Sequence, residues 1–295
     1  MNKNNTSGLS VHRIFTAFAG SPALPAGRIQ PMTPALISTP ALPSVLPLTV
    51  PAFGRVWQLT PVFAPLWGAD GRLTALEMLS RLQDRDSGAP AAPEMFFAQA
   101  PQAEQLRILH WQLDVLTLLM PWCRRRGVAV SLNITRGLAL RLLGEPDMAG
   151  VVQALSPSLR LEVSERFLSP DTSPDHDPLL QGLRPLAPLW LDDFGAGATG
   201  LSWMMSGAFE AVKVDRLFFR DLAALPEGVY FLQALTALAG AVDTRMVAEG
   251  VEDRALMQTA LSAGVDTCQG WLWPEVTLAA LATLPAGLPD AEGDL

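Results

Sequence analysis

Seven short apolar runs, most of them closing on a residue that carries oxygen or charge, constrain this chain more than any other feature. They are TALEML, VAVSLN, LRLEV, PLWLDD, AVKVD, RMVAE and DTCQG, and stretches with helical spacing separate them. That alternation is the order expected of an α/β protein with a largely parallel sheet. A single polar residue at a strand end has an ordinary cause, a helix cap or an Asx turn. Six strands in succession do not fit that cause well. In a parallel barrel all strand C-termini open on one face, where side chains from different strands converge. The residues that would meet there are Asn133, Glu162, Asp192, Asp193, Lys213, Asp215, Glu249 and Gln269, with Glu77 inside the first run. Glu77, Glu162, Asp192, Asp193 and Glu249 repel one another strongly if they converge without a cation. A divalent metal, and more fully two, removes that repulsion.

Composition narrows the chemistry further. The chain has only 3 His and 2 Cys among 295 residues, which argues against a His- or Cys-rich zinc site and leaves open a hard cation held by oxygen. Cys123 and Cys268 read as reduced, core-facing thiols of a cytoplasmic protein. The net charge of −8 argues against non-specific binding to a DNA or RNA polymer. It leaves room for a small anionic ligand, because bound metal inverts the local sign of a carboxylate cluster. No uninterrupted apolar run reaches the ~18 residues of a membrane span, so none is expected.

The ends differ from the middle. Residues 1–52 hold eight prolines, from Pro22 to Pro51, no acid, and only Lys3, Arg13 and Arg28 as basic charges. Such a stretch predicts a poorly ordered or extended leader. Its apolar piece FTAFAGSPALPAG is short and broken by proline, which reads against a cleaved signal. The ordered body is expected over residues 53–284, with a flexible Gly/Pro/Asp-rich tail over 285–295.

The stretch LWLDDFGAGATGL (189–201) admits two readings. Gly195, Gly197 and Gly200 have the G-x-G-x-x-G spacing of a dinucleotide-binding turn, with Asp215 downstream where a ribose would be held. Against it, a pyrophosphate there would meet Asp192 and Asp193 at close range, and the other strand-end acids would stay unexplained. The second reading makes the loop one side of a metal site. Taken singly, Asn133 reads as a turn former, Lys213 as a solvated charge and Gln269 as a backbone-satisfying amide. Taken with their order along the chain, they do not. His110, within the helical stretch ILHWQLDVLTLLMPW, reads as a surface or hydrogen-bonded histidine, and Trp271 is the tryptophan placed nearest a ligand.

The series ALEMLSRL (75–82), SLNIT (131–135), LEVSE (161–165), LDDFGAG (191–197), VKVD (212–215), VAEGVE (247–252) and CQGW (268–271) resembles the ordered motif set of the EAL-domain cyclic di-GMP phosphodiesterases. The likeness runs from about Leu59 to Pro274 and is closest to short, stand-alone members. The resemblance implies a TIM-like (β/α)8 barrel with one antiparallel strand, and hydrolysis of cyclic di-GMP to linear pGpG. It implies that Glu77, Asn133, Glu162 and Asp192 hold one Mg²⁺ or Mn²⁺, and that Asp192 with Asp193 binds the second. Lys213 would touch the attacking water and Glu249 would help hold the metal and water shell. Glu252 and Gln269 would support that shell and face substrate, and Arg81 would contact a substrate phosphate. Glu165 would tie down the loop after Asp193, which bears on metal placement and on a homodimer.

The match has two departures. Glu77-Met78-Leu79 replaces the name motif Glu-Ala-Leu, which keeps the ligand. The loop DFGAGATGL lacks the usual hydroxyl-bearing and aromatic residues at Ala196, Ala198 and Gly200, which favours a rival: a catalytically silent receptor for cyclic di-GMP or for a partner protein. A Schiff-base enzyme using Lys213 is the other rival, and the surrounding acids oppose it by keeping the amine protonated.

Overall fold

The computed structural model describes Leu42 and residues 44–167, 172–197 and 200–288. Most of the expected leader lies outside these residues, as do Ala198, Thr199 and the tail beyond 288. The described chain opens with β1 (Leu48–Ala52), β2 (Arg55–Gly68), β3 (Leu73–Asp84) and β4 (Pro90–Ala91), then α1 (Pro93–Gln99) and α2 (Gln102–Arg126). Next come β5 (Ala129–Asn133), α3 (Arg136–Gly144), α4 (Pro146–Leu155), β6 (Leu159–Ser164), α5 (Pro178–Leu183), β7 (Leu189–Phe194), α6 (Leu201–Met204) and β8 (Ala211–Val214). The last elements are α7 (Arg216–Ala223), α8 (Gly228–Gly240), β9 (Arg245–Ala248), α9 (Arg254–Ser262), β10 (Thr267–Cys268) and β11 (Val276–Thr277).

Eight strands close a ring in the order β2, β3, β5, β6, β7, β8, β9, β10 and back to β2. All seven strands read from the sequence are in it, and neighbours from β3 to β10 run parallel. The eighth, β2, runs antiparallel to both β3 and β10. It does so because a tight turn, with Gly71 at φ 75° and Gly68 N donating to Arg72 O at 2.8 Å, joins it to β3 without a crossover helix.

Pro61 and Pro65 disguise β2 in the sequence, since proline is usually confined to strand edges. The strand tolerates them because its second edge is only patchily paired. There β1 covers Arg55–Leu59, β11 covers Val62 and Phe63, and β10 covers Trp67 and Gly68. Both prolines fall in the gaps, where a missing N–H loses no ladder bond.

Strand residues alternate between helices and barrel interior. The outward set, which includes Leu76, Val130, Leu161, Leu191, Val212 and Met246, packs with Leu109, Leu116 and Trp122 of α2 in the main core. Each such side chain contributes about 1.5–3 kcal/mol by leaving water. The inward set forms two layers two residues apart. Ala75, Ala129, Trp190, Ala211 and Val247 line the floor, and Glu77, Ser131, Asp192, Lys213 and Glu249 stand above them at the strand C-terminal ends.

Two expected boundaries move. The leader does not stop at 52, because Leu48–Ala52 pairs with β2 and Val50 is fully buried beside Leu59 and Phe96. Pro51 in this run argued against a strand, yet β1 is an edge strand, where proline is tolerated. The tail does not begin at 285, since Leu73 N donates to Ala286 O and Leu288 N to Gly71 O. No helix among the described residues is long and apolar enough to cross a membrane.

Candidate active site at the barrel mouth

Lys213 is the centre of the mouth. It is 1% exposed, and its Nζ lies 2.8 Å from Glu249 Oε1, 3.0 Å from Asp192 Oδ1, and 3.2 Å from both Glu77 Oε2 and Glu162 Oε2. Five strands deliver these five residues, so closure of the ring brings together what the chain keeps up to 172 positions apart (Glu77 to Glu249). Around them, Asn133 Nδ2 donates to Glu77 Oε1 at 2.9 Å, and Gln269 Nε2 donates to Glu77 Oε2 at 2.7 Å.

A bulge makes room for a second aspartate. Leu191 pairs with Val212 and Phe194 with Val214, so Asp192 and Asp193 together oppose the single residue Lys213. Successive residues of a regular strand point to opposite faces. Here Asp193 takes φ 58°, a left-handed conformation costing roughly 1–2 kcal/mol for an L-residue. In exchange both carboxylates face the mouth, where one oxygen each from Asp192, Asp193 and Glu249 lies within 4.8 Å of the others.

Four carboxylates cannot share one ammonium evenly. Burial pushes the Glu77 carboxyl up, but Lys213 and hydrogen bonds from Gln269 and Asn133 outweigh it and hold it below the ordinary range. Burial, then the Glu77 charge, drives Glu162 well above its usual value. Burial likewise raises Asp192, against the pull of Lys213, and takes Asp193 to about 6 and Glu249 to about 8. Burial would lower Lys213, yet the four carboxylates win and push it well above the usual lysine range. Four carboxylates around the amine favour its protonated form, which opposes the Schiff-base reading.

The donor set fits a hard divalent cation. Every group is an oxygen ligand of the kind Mg²⁺ or Mn²⁺ prefers. Glu162 Oε1 is buried with no hydrogen-bond donor, a state that costs free energy unless a cation meets it.

The glycine loop is held from one side. Glu165 Oε1 accepts from Gly195 N at 3.0 Å, and its Oε2 is buried against Gly197. A Cβ on Gly197 would sit 2.3 Å from that Oε2, and one on Gly195 would sit 2.2 Å from Phe218. These two glycines therefore serve close packing of backbone on side chain. The helix that follows, α6, has only four residues, which removes the long helix a dinucleotide fingerprint needs.

Four other residues singled out in the sequence lie outside the Lys213 cluster. Asp215 has the ordinary strand-end role, capping α7 by accepting from Leu217 N and Phe218 N. Glu252 pairs with Arg220 at 2.9 Å, since Gly250 at φ 68° turns the chain away after Glu249. Arg81 shares the Glu77 face of β3, four residues on, and is ion-paired with Glu275. Trp271 is 74% exposed beneath the guanidinium of Arg216, at 5.9 Å. Sequence reasoning missed Ser131, fully buried one step inward of Asn133, and Glu275; the two-residue strand period points to the first.

Known proteins place this geometry. The chain is 25% identical to the cyclic di-GMP phosphodiesterase PdeH of Escherichia coli (strain K12), over 70% of its own length and 79% of that protein. It is 24% identical to the anti-FlhC(2)FlhD(4) factor YdiV of Salmonella paratyphi B, over 75% of its length and 93% of that protein. The crystal structure of the EAL-like domain protein YdiV superposes with a TM-score of 0.70 at 20% identity, covering 77% of this chain and 96% of that one. Since residues 53–275 also match the EAL domain, most of the chain including every mouth residue, the protein belongs to the EAL domain family.

Proposed function

We propose that the mouth hydrolyses one phosphodiester bond of cyclic di-GMP, releasing linear pGpG. The observation that carries this reading is the convergence of Glu77, Glu162, Asp192 and Glu249 on buried Lys213, with Glu162 Oε1 left without a donor. Glu77, Asn133, Glu162 and Asp192 would hold one Mg²⁺ or Mn²⁺, and Asp192 with Asp193 would hold a second. Bound there, such ions would supply Lewis acidity toward a water and the phosphate oxygens. Lys213 steadies that water and offsets the charge that develops as its oxygen bonds to phosphorus and the P–O3′ bond breaks. Glu249 fixes the ammonium and the water shell, and Gln269 keeps Glu77 turned into the site. Glu165 is a positioning residue, acting through the backbone of the Gly195–Gly197 loop. Arg81 forks onto a substrate phosphate once it leaves Glu275, and Glu252 braces the rim through Arg220.

A second reading is a silent receptor for cyclic di-GMP or a regulator that binds a protein. The likeness to YdiV, described as an anti-FlhC(2)FlhD(4) factor, favours it, as do Ala196 and Gly200 in the loop. One experiment separates the two. Purified protein is incubated with cyclic di-GMP and Mg²⁺ or Mn²⁺, and the mixture is chromatographed. Appearance of pGpG, abolished by EDTA and restored by metal, supports the enzyme; binding of cyclic di-GMP without pGpG supports the receptor.

A further inference from the structure

The opposite end of the barrel holds a chamber that the chemistry at the mouth does not use. Barrel interiors of this kind are filled chiefly by bulky branched side chains. Here three inward floor positions on three strands are Ala75, Ala129 and Ala211, and a cavity of about 330 Å³ remains. That volume falls at the lower end of small-molecule sites, about 300–1,000 Å³.

Its lining is strongly one-signed. Arg124, Arg160 and Arg245 all border the cavity, and among the described residues no acidic side chain lines it. In a chain of net charge −8 this is a local reversal. Arg160 is already committed: it grips Glu210 through Nε at 2.6 Å and Nη2 at 3.1 Å, and turns Nη1 to the carbonyls of Ser156 and Leu159. Arg245 spends only Nη2 on Glu210, at 3.1 Å, and Arg124 only Nη2 on Ala154 O, at 3.0 Å. Among the described residues their Nε and Nη1 groups have no partner. Ser158 and Thr267 also line the cavity, each 6% exposed, and neither hydroxyl makes a side-chain hydrogen bond among the described residues.

We infer that this floor chamber binds a small phosphate monoester, its phosphate held by Arg124, Arg245, Ser158 and Thr267 and its organic body seated against the three alanines. Guanidinium forks match the geometry and charge of a phosphate group better than any other side chain. The site is independent of the mouth, which in the absence of metal presents carboxylates and repels the same ligand.

Isothermal titration calorimetry of the full chain in EDTA, with inorganic phosphate, ribose 5-phosphate and ribose as probes, tests this. Ribose 5-phosphate is expected to bind more tightly than inorganic phosphate, and ribose not at all. Arg124→Gln with Arg245→Gln should weaken ribose 5-phosphate by about tenfold or more. Both arginines are well exposed, so the ligand-free melting temperature should hardly move. Ala129→Leu fills the chamber without touching an arginine and should also abolish ribose 5-phosphate binding. Absence of binding to the parent, equal affinity for both phosphates, or undiminished binding by either variant would overturn the assignment.

Discussion

The mouth and the floor of the barrel are built by the same strands, two residues apart, and carry opposite charge. On β6 the step is Arg160 to Glu162, on β8 Ala211 to Lys213, on β9 Val247 to Glu249. At the mouth four carboxylates surround one ammonium; at the floor Arg160 and Arg245 share one carboxylate, Glu210. Sheets have little net dipole of their own, so side chains alone set the sign of each end. Each layer also contains its own counter-ion, and in both the minority charge is the one most stabilised. Lys213 stays protonated far above the usual range, while burial fails to lift Glu210, which the hydrogen bonds of Arg160 and Trp190 hold below the carboxylate range. The layers differ in depth. Lys213 is sealed from water, whereas Glu210 is about a third exposed, so the mouth should respond far more to loss of a charge.

The largest effect is expected from removing majority charge at the mouth. Asp192→Asn and Asp193→Asn should each lower hydrolysis of cyclic di-GMP by more than about a hundredfold, already the usual cost of losing a group that merely supports a metal ligand. The fold should persist by circular dichroism, because fewer carboxylates then crowd Lys213. A wild-type rate in both variants would remove the aspartate pair from the chemistry.

Removing the minority charge at the mouth should act on stability instead. Lys213→Met leaves four buried carboxylates without an ammonium, and breaking a buried ion pair from one side costs about 3–5 kcal/mol. The variant in EDTA should therefore melt well below the parent, and Mn²⁺ should raise its melting temperature more than the parent's. Equal metal shifts in the two proteins would mean that the cations do not contact the carboxylates Lys213 neutralises.

The two ends were unequally legible in the sequence, for a physical reason. At the mouth, charged residues close apolar runs, so Glu162, Asp192, Lys213 and Glu249 stand out where a strand stops. The bulge was legible as two adjacent aspartates, though not the left-handed turn at Asp193 that aims both inward. Arg160 and Glu210 lie at the starts of strands, where polar residues are ordinary, and nothing local links positions fifty residues apart. Strand β2 was hidden by Pro61 and Pro65, whose tolerance depends on partners arriving from both ends of the chain. Glu252 shows the converse: the family resemblance set it beside Glu249 in one shell, and one glycine turn separates them.

The smallest expected effect lies at the floor. Glu210→Gln leaves Arg160 and Arg245 facing each other across a neutral amide, but solvent reaches the site and screens the loss to about 1 kcal/mol at neutral pH. The sign with pH follows from Glu210 having a folded-state value below its ordinary one. Such a carboxylate contributes its full stability above the unfolded value, about 4.3, and loses it as pH falls through the folded value. Urea titrations of parent and Glu210→Gln should therefore differ most at pH 6–7 and converge as the pH falls below about 4. A difference that stays constant across that range would assign the role of Glu210 to packing against Trp190 rather than to charge. Because Gln also removes an anion that competes for Arg245, the variant should bind ribose 5-phosphate at least as tightly as the parent. A loss of affinity there would mean that Glu210 holds Arg245 in its binding pose, and that the floor, like the mouth, depends on its minority charge.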